Sequence, residues 1–141
     1  VTLADVNVLV YAFRTDAERH RQSFDWLARV ISSGEPFAIN RLALSAMVRI
    51  TTNRRIHKTP SSLEDAFGFC DDLLANENCR LIEPGPSHWN IFRKLCVETN
   101  TTGPTTTDAW YAALAIEHAC EFITYDSDFA RFPGLRWRRP T

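Results

Sequence analysis

The chain reads as one α/β domain, residues 1–141, in which a central parallel sheet of four to five strands lies between helical layers, a three-layer α/β/α arrangement. Three observations predict it. Strand-like and helix-like segments alternate along the whole sequence, which implies parallel strands joined by right-handed crossovers. The length of 141 residues and the 45% hydrophobic content suit a single domain with a full core. The breaks at Ser32–Pro36, Thr59–Ser62, Glu83–Pro86 and Thr99–Thr107 are short enough to be loops between packed elements rather than linkers.

The elements follow in order. Val1 to Asp5 is a short strand running into Asp5, and Ala17 to Ser32 carries Phe24, Leu27, Ala28 and Ile31 at helical spacing. Phe37–Asn40 is a second strand, and Leu42 to Asn53 is helical through Leu42, Ala46 and Ile50. Ser61 or Ser62 caps a helix with Leu63, Ala66, Phe67, Cys70 and Leu73-Leu74. Arg80–Ile82 is a third strand, and His88 to Glu98 places Trp89, Phe92, Leu95 and Cys96 on one helical face. Thr106 or Thr107 is a natural N-cap for a helix from Asp108 to Ala119; Phe122–Thr124 is a fourth strand and Leu135–Trp137 a possible fifth.

Composition narrows the function classes. A formal net charge of -1 does not mark the whole molecule as a polyanion binder, so any nucleic-acid surface must come from local clusters of Lys and Arg. The four cysteines form no C-x-x-C pair and have no His at zinc spacing, so they read as reduced structural thiols of a cytoplasmic protein. No signal peptide pattern and no apolar run near ~20 residues points to a membrane.

Ligands of open parallel sheets bind beyond the carboxyl ends of the strands. Asp5 stands directly after the first strand, Asp126 just after the fourth, and Asp108 at the start of a helix whose Ala109, Ala112 and Ala113 allow close packing on the sheet. Carboxylates forced together repel, and a divalent cation removes that cost. Mg²⁺ is held by one or two carboxylates plus waters and substrate phosphate, and such an ion serves phosphoryl chemistry. Asp128 adds a further acid that either ligates through water or caps the following short helix. Taken singly, each aspartate also has a plain structural reading: a strand end, a helix's first turn, a turn start.

At these residues the sequence resembles the PIN-domain family and, within it, the VapC-type toxins of bacterial toxin–antitoxin pairs. The resemblance rests on Leu3-Ala4-Asp5-Val6-Asn7-Val8-Leu9-Val10-Tyr11-Ala12, on Thr107-Asp108-Ala109-Trp110-Tyr111-Ala112-Ala113-Leu114-Ala115, and on Thr124-Tyr125-Asp126-Ser127-Asp128-Phe129-Ala130-Arg131-Phe132. Met47-Val48-Arg49-Ile50-Thr51-Thr52-Asn53 is similar to the corresponding stretch of mycobacterial members. The resemblance implies a Mg²⁺- or Mn²⁺-dependent endoribonuclease that cuts RNA with metal-activated water and is silenced by a cognate VapB-type antitoxin. It implies that Asp5, Asp108 and Asp126 bind metal and that Asn7 orients the first acid. One departure stands out: the family's usual Glu, three residues before an Arg, falls here on Ala46, and no acid occurs between Glu35 and Glu64. Asp128, Asn40 or Ser45 acting through water, or substrate phosphate, would have to complete the ion's shell.

Two alternatives stay open. The Ala46 gap also suits a PIN domain that binds RNA or protein without cutting. Asp5-Val6-Asn7 is loosely similar to the D-x-D opening of haloacid-dehalogenase-like phosphatases, but the only lysines, Lys58 and Lys94, sit at no strand end.

The densest basic run, Asn53-Arg54-Arg55-Ile56-His57-Lys58, reads as an exposed loop, so Arg54, Arg55 and Lys58 are candidate phosphate contacts, with Arg14 a further one just beyond Asp5. The bland alternative is a solvated turn. Trp110 is a helix-packing or interface residue more than a base-stacking one, and His20, His57, His88 and His118 are expected on helix surfaces or loops. The wide apolar arc of Phe67, Phe69, Cys70 and Leu73-Leu74 is either core or, as the resemblance implies, part of an antitoxin groove and a homodimer interface.

Overall fold

The structure is a computed structural model describing residues 1–141. Five short strands, β1 (Thr2–Ala4), β2 (Phe37–Ile39), β3 (Cys79–Leu81), β4 (Glu121–Ile123) and β5 (Trp137–Arg138), form one sheet in the order β3-β2-β1-β4-β5. Every neighbouring pair is parallel, with Leu3 opposite Ala38 on one side of β1 and Phe122 on the other. The chain therefore steps outward from β1 to β3 and then returns to lay β4 on the other side of β1. The strand order reverses between β1 and β4, and that reversal opens a crevice at their carboxyl ends.

Six helices cover the sheet: α1 (Val6–Phe13), α2 (His20–Ser32), α3 (Arg41–Thr51), α4 (Leu63–Ala75), α5 (His88–Thr99) and α6 (Thr106–Glu117). α1 packs on α2 and α3, α4 packs on α3, and α5 pairs with α6. Right-handed crossovers put the group α1–α4 on one face and the α5–α6 pair, which carries the chain back to β4, on the other. The sheet supplies Leu3, Phe37, Ala38, Ile39, Phe122 and Ile123 to the core. α6 lies close because Ala109, Ala112, Ala113 and Ala115 are fully buried and present no bulk.

Four local expectations change. The eight residues of α1 follow Asp5 at once, where the sequence reading placed no helix. Val6-Asn7-Val8-Leu9-Val10-Tyr11-Ala12-Phe13 is apolar almost throughout and so shows no helical period, and its β-branched residues read as strand. α2 begins at His20 rather than Ala17, because Arg14 and Asp16 pair across the preceding turn. Neither Thr106 nor Thr107 caps α6; the helix starts at Thr106 from a 3₁₀ turn over Gly103–Thr105, and the Thr106 hydroxyl donates to the Gly103 carbonyl. His88 is buried rather than exposed, wedged against Phe92 and Trp110 with Nε2 at 3.0 Å from the Trp110 carbonyl.

The four cysteines are unpaired, and no helix is long and apolar enough to cross a membrane.

Candidate active site

The crevice between β1 and β4 is where the acids meet. Asp5 leaves β1 and serves at the same time as the N-cap of α1: its Oδ1 accepts from the Val6 N–H at 2.7 Å. Its Oδ2 accepts from the Thr124 hydroxyl at 2.7 Å, across the switch point. Thr124, directly after β4, is fully buried and works in several directions. Its Oγ1 also accepts from the Asp126 N–H at 3.0 Å and lies 3.5 Å from the Asn7 Nδ2. One hydroxyl thus joins the first acid, the third acid's backbone and Asn7.

Asp126 caps the short 3₁₀ turn Ser127–Arg131, its Oδ1 accepting from the Asp128 N–H at 2.9 Å. Asp126, not Asp128, therefore fills the capping role, and the Asp128 side chain is exposed. The turn is anchored from below by Phe129 and Phe132, with the Phe129 ring 4.7 Å from that of Phe122 on β4. Asp108, in the first turn of α6, faces Arg131, whose Nη2 is 3.6 Å from its Oδ2. The Arg131 guanidinium is itself held by a 2.9 Å bond from Nη1 to the Asp128 carbonyl and by the Phe132 ring 4.4 Å below it.

The acids are close enough to act on one another's ionisation. Burial pushes the Asp5 carboxyl up to about 6; Asp108 and Asp126 add to this by repulsion, while the Thr124 and Val6 hydrogen bonds oppose it. Asp108 is also raised by burial, with Arg131 pulling the other way. Burial and the Asp5 charge push the Tyr111 hydroxyl up to about 12, so it stays protonated.

A groove of about 390 Å³ opens beside Asp5 and Asp108. Val6, Thr107 and Tyr111 form one wall, and Leu42, Ser45, Ala46, Arg49 and Ile50 of α3 form the other. Ala46 thus lies opposite the carboxylates, where the family resemblance expects a Glu. Asn40 does not substitute for it: Asn40 is buried, its Nδ2 donating to the Ile82 carbonyl and its Oδ1 capping α3 through the Leu42 N–H. Ser45 is exposed in the groove.

The fit to a divalent cation can be judged on the donors themselves. All are hard oxygens, the type that suits Mg²⁺ or Mn²⁺, and the buried Asn7 Oδ1 has no hydrogen-bond partner within the protein. No three His, Cys, Asp or Glu side chains close into a ready-made cage. The carboxylates feel one another's charge without converging to direct ligating distance as a trio. That spacing suits an ion that keeps several waters, as Mg²⁺ does, and not an all-protein cage.

Of the basic candidates, Arg14 is not brought to the acids. It is buried at the end of α1, its guanidinium taken up by Asp16, the Thr59 carbonyl and the Ser61 hydroxyl. Arg54, Arg55 and Lys58 lie exposed in the turn after α3 and do not line the groove. The cations that do stand at the acids are Arg131 and Arg49, neither of which the sequence reading had assigned a role. Thr124 was missed too, because a threonine ending a strand is an ordinary β residue.

Comparison with known proteins agrees with this fold. The PIN domain family model matches residues 2–135. Ribonuclease VapC25 of Mycobacterium tuberculosis is 41% identical over 138 residues, covering 98% of this chain and 97% of that protein. Ribonuclease VapC43 of the same organism is 39% identical over 136 residues, covering 96% and 92%. Among solved structures, VapC20 of M. tuberculosis, a Sarcin-Ricin loop cleaving toxin, superposes with a TM-score of 0.69 at 14% identity, over 96% of this chain and 99% of that one. VapBC2 of Rickettsia felis, bound to a promoter DNA fragment, superposes with a TM-score of 0.68 at 15% identity, over 98% and 97%. At such low identity these two likenesses concern the fold, while the full-length sequence relatives carry the kinship. The chain belongs to the PIN-domain family and, within it, to the VapC ribonucleases.

Proposed function

We propose that this chain is a Mg²⁺- or Mn²⁺-dependent endoribonuclease acting as the toxin of a cytoplasmic toxin–antitoxin pair. The observation that carries the reading is the coupling of Asp5, Asp108 and Asp126 at the β1/β4 crevice, where Asp5 is raised to about 6 by burial and by its neighbours' charge. Such a carboxylate is ionised at neutral pH at a cost that a divalent cation offsets. Asp5, Asp108 and Asp126 would hold the ion, with Asp128 and Asn7 supporting its waters. Such an ion would supply a polarised water and a positive charge beside the phosphate. The chain's own groups do the rest. Thr124 fixes the Asp5 carboxylate, Arg131 restrains Asp108, and Arg49 offers a phosphate contact across the groove. Arg54, Arg55 and Lys58, exposed in the turn after α3, would meet more distant phosphates of a bound strand.

A VapB-type antitoxin is the proposed partner, and two apolar grooves support that reading. One, of about 450 Å³, runs between α3 and α4 past Leu44, Val48, Phe67 and Leu74; the other, of about 440 Å³, runs between α2 and α4 past Phe24, Ile31 and Phe69. Phe67 (52% exposed) and Phe24 (51%) are left open to water there, as interaction surfaces are. A homodimer is proposed through the same exposed apolar residues or Trp89.

The test is cleavage of RNA by the purified protein with Mg²⁺ or Mn²⁺, together with growth arrest on expression in a bacterium. Asp108→Ala should abolish both; cleavage that survives this substitution or excess EDTA rejects the mechanism. A second reading, a PIN domain that binds without cutting, is favoured by Ala46, which leaves the site one carboxylate short. RNA binding with no cleavage under either metal would select it.

A further inference from the structure

Leu42, Ala46 and Ile50 are four residues apart on α3 and so form one stripe of its surface. Both flanking side chains are large and the central one is a methyl group, so the stripe has a notch one side chain deep. All three line the same groove as Asp5 and Asp108, with Tyr111 on the facing wall and Arg49 beside the notch. Leu42 is 49% exposed, so its apolar face is open to the groove. The groove volume of about 390 Å³ falls in the range of small-molecule sites, roughly 300–1,000 Å³.

We propose that the Ala46 notch is a nucleobase subsite: one unstacked base of a single-stranded RNA lies on Leu42, Ala46 and Ile50 while the adjoining backbone phosphate passes between Arg49 and the Asp5–Asp108 pair. This rests on the ribonuclease reading and adds to it a residue that selects where the strand is cut. The placement follows from charge. A nucleotide is an apolar face joined to an anion, and the groove offers an apolar face beside an arginine. Single-stranded RNA is recognised in this way, with splayed bases laid on side-chain faces and phosphates met by cations. The missing acid and the notch are two aspects of one residue: a Glu at position 46 would fill the space with a charged side chain.

The experiment uses Ala46→Leu, which fills the notch with a strong helix former on a solvent-facing groove wall. Short labelled RNAs carrying one abasic ribose, scanned along the strand, are titrated with Ca²⁺ in place of Mg²⁺. Wild type should lose about tenfold in affinity when one particular base is removed, the scale of a single base contact. Ala46→Leu should bind the intact RNA about tenfold more weakly and show no such position. With Mg²⁺, the same variant should shift the preferred cut site in a mixed-sequence RNA while Mn²⁺ binding, read by electron paramagnetic resonance, is unchanged. A flat abasic scan in wild type overturns the subsite, as a notch that takes a protein side chain would give. Metal-dependent cleavage with identical cut sites and KM in both proteins also overturns it and leaves the ribonuclease reading standing. A base-dependent scan in a wild type that never cleaves supports the subsite and sinks the ribonuclease reading.

Discussion

The Thr124 hydroxyl donates to Asp5 Oδ2 at 2.7 Å although 119 positions separate the two residues. It spans the boundary between β1 and β4, so the first acid is oriented by the strand that arrives last but one. A side chain that acts through a ligand in this way changes metal affinity or activity by about 10–100-fold when removed. Thr124→Val keeps the shape and removes the hydroxyl. It should lower kcat and weaken Mn²⁺ binding within that range, and Thr124→Ser should restore most of both. Equal activity in all three proteins would mean Asp5 needs no such support.

Asp5 also sets a pH dependence of stability. Its folded value of about 6 lies above the unfolded value of 3.8, so the folded state holds the proton more tightly. The associated stability is fully present below about pH 4 and is lost as pH rises through about 6. The difference corresponds to on the order of 3 kcal/mol. In EDTA the wild type should show this fall in thermal stability and Asp5→Asn should lack it, ending more stable at pH 7. Added Mn²⁺ should restore the wild type most strongly at neutral pH and leave Asp5→Asn nearly unmoved. A wild type whose stability in EDTA is flat from pH 4 to 7 would contradict the burial of this carboxylate.

Arg131 acts on Asp108 in the opposite sense, holding its carboxyl below where burial alone would put it. Arg131→Gln should therefore move the acid limb of the kcat/KM pH profile to higher pH, since Asp108 would then need a higher pH to ionise. The measurement is a rate profile from pH 5 to 8 against wild type. A profile lowered in height without a shift would assign Arg131 to substrate contact alone.

Far from the site, Glu117 at the end of α6 accepts from the N–H groups of Gly85 and Ser87 at 2.7 and 2.9 Å and so ties the loop before α5 to the helix after it. A Cβ at Gly85 would stand 2.7 Å from Glu117 Oε2, so the carboxylate would have to swing away and give up these hydrogen bonds. Gly85→Ala and Glu117→Gln should each destabilise by roughly 1–3 kcal/mol, and the double variant by less than the sum, as read by urea unfolding. Additive losses would show that the two do not act through one contact.

These residues also show where sequence was informative. The parallel sheet follows from the alternation of strands and helices, Asp5 and Asp126 were singled out by where strand ends lie in such a sheet, and Asp108 by its place at the start of a helix that packs close on it. What eluded the reading depends on partners distant in the chain. α1 hides because Val6–Phe13 is apolar on all sides, being packed on both α2 and α3. Thr124 carries no mark of its role, since its partner Asp5 is at the other end of the chain. Arg14 looked like a phosphate ligand by proximity to Asp5, yet α1 carries it a helix length away into a nest of carbonyl, hydroxyl and carboxylate oxygens. His88 was expected on a helix surface and Trp89 on the apolar face of the same helix; instead His88 packs against Phe92 and Trp110 while Trp89 is exposed.

The position of β4 beside β1 has a consequence for synthesis. Asp5 is made before Thr124 and Asp126, so a chain that has not yet added β4 to its sheet holds its leading carboxylate without the hydroxyl that aims it or the acid whose charge it feels. Strand order thus makes the surroundings of Asp5 conditional on β4 docking beside β1: until that strand is in place, the first carboxylate has only the Val6 N–H to hold it.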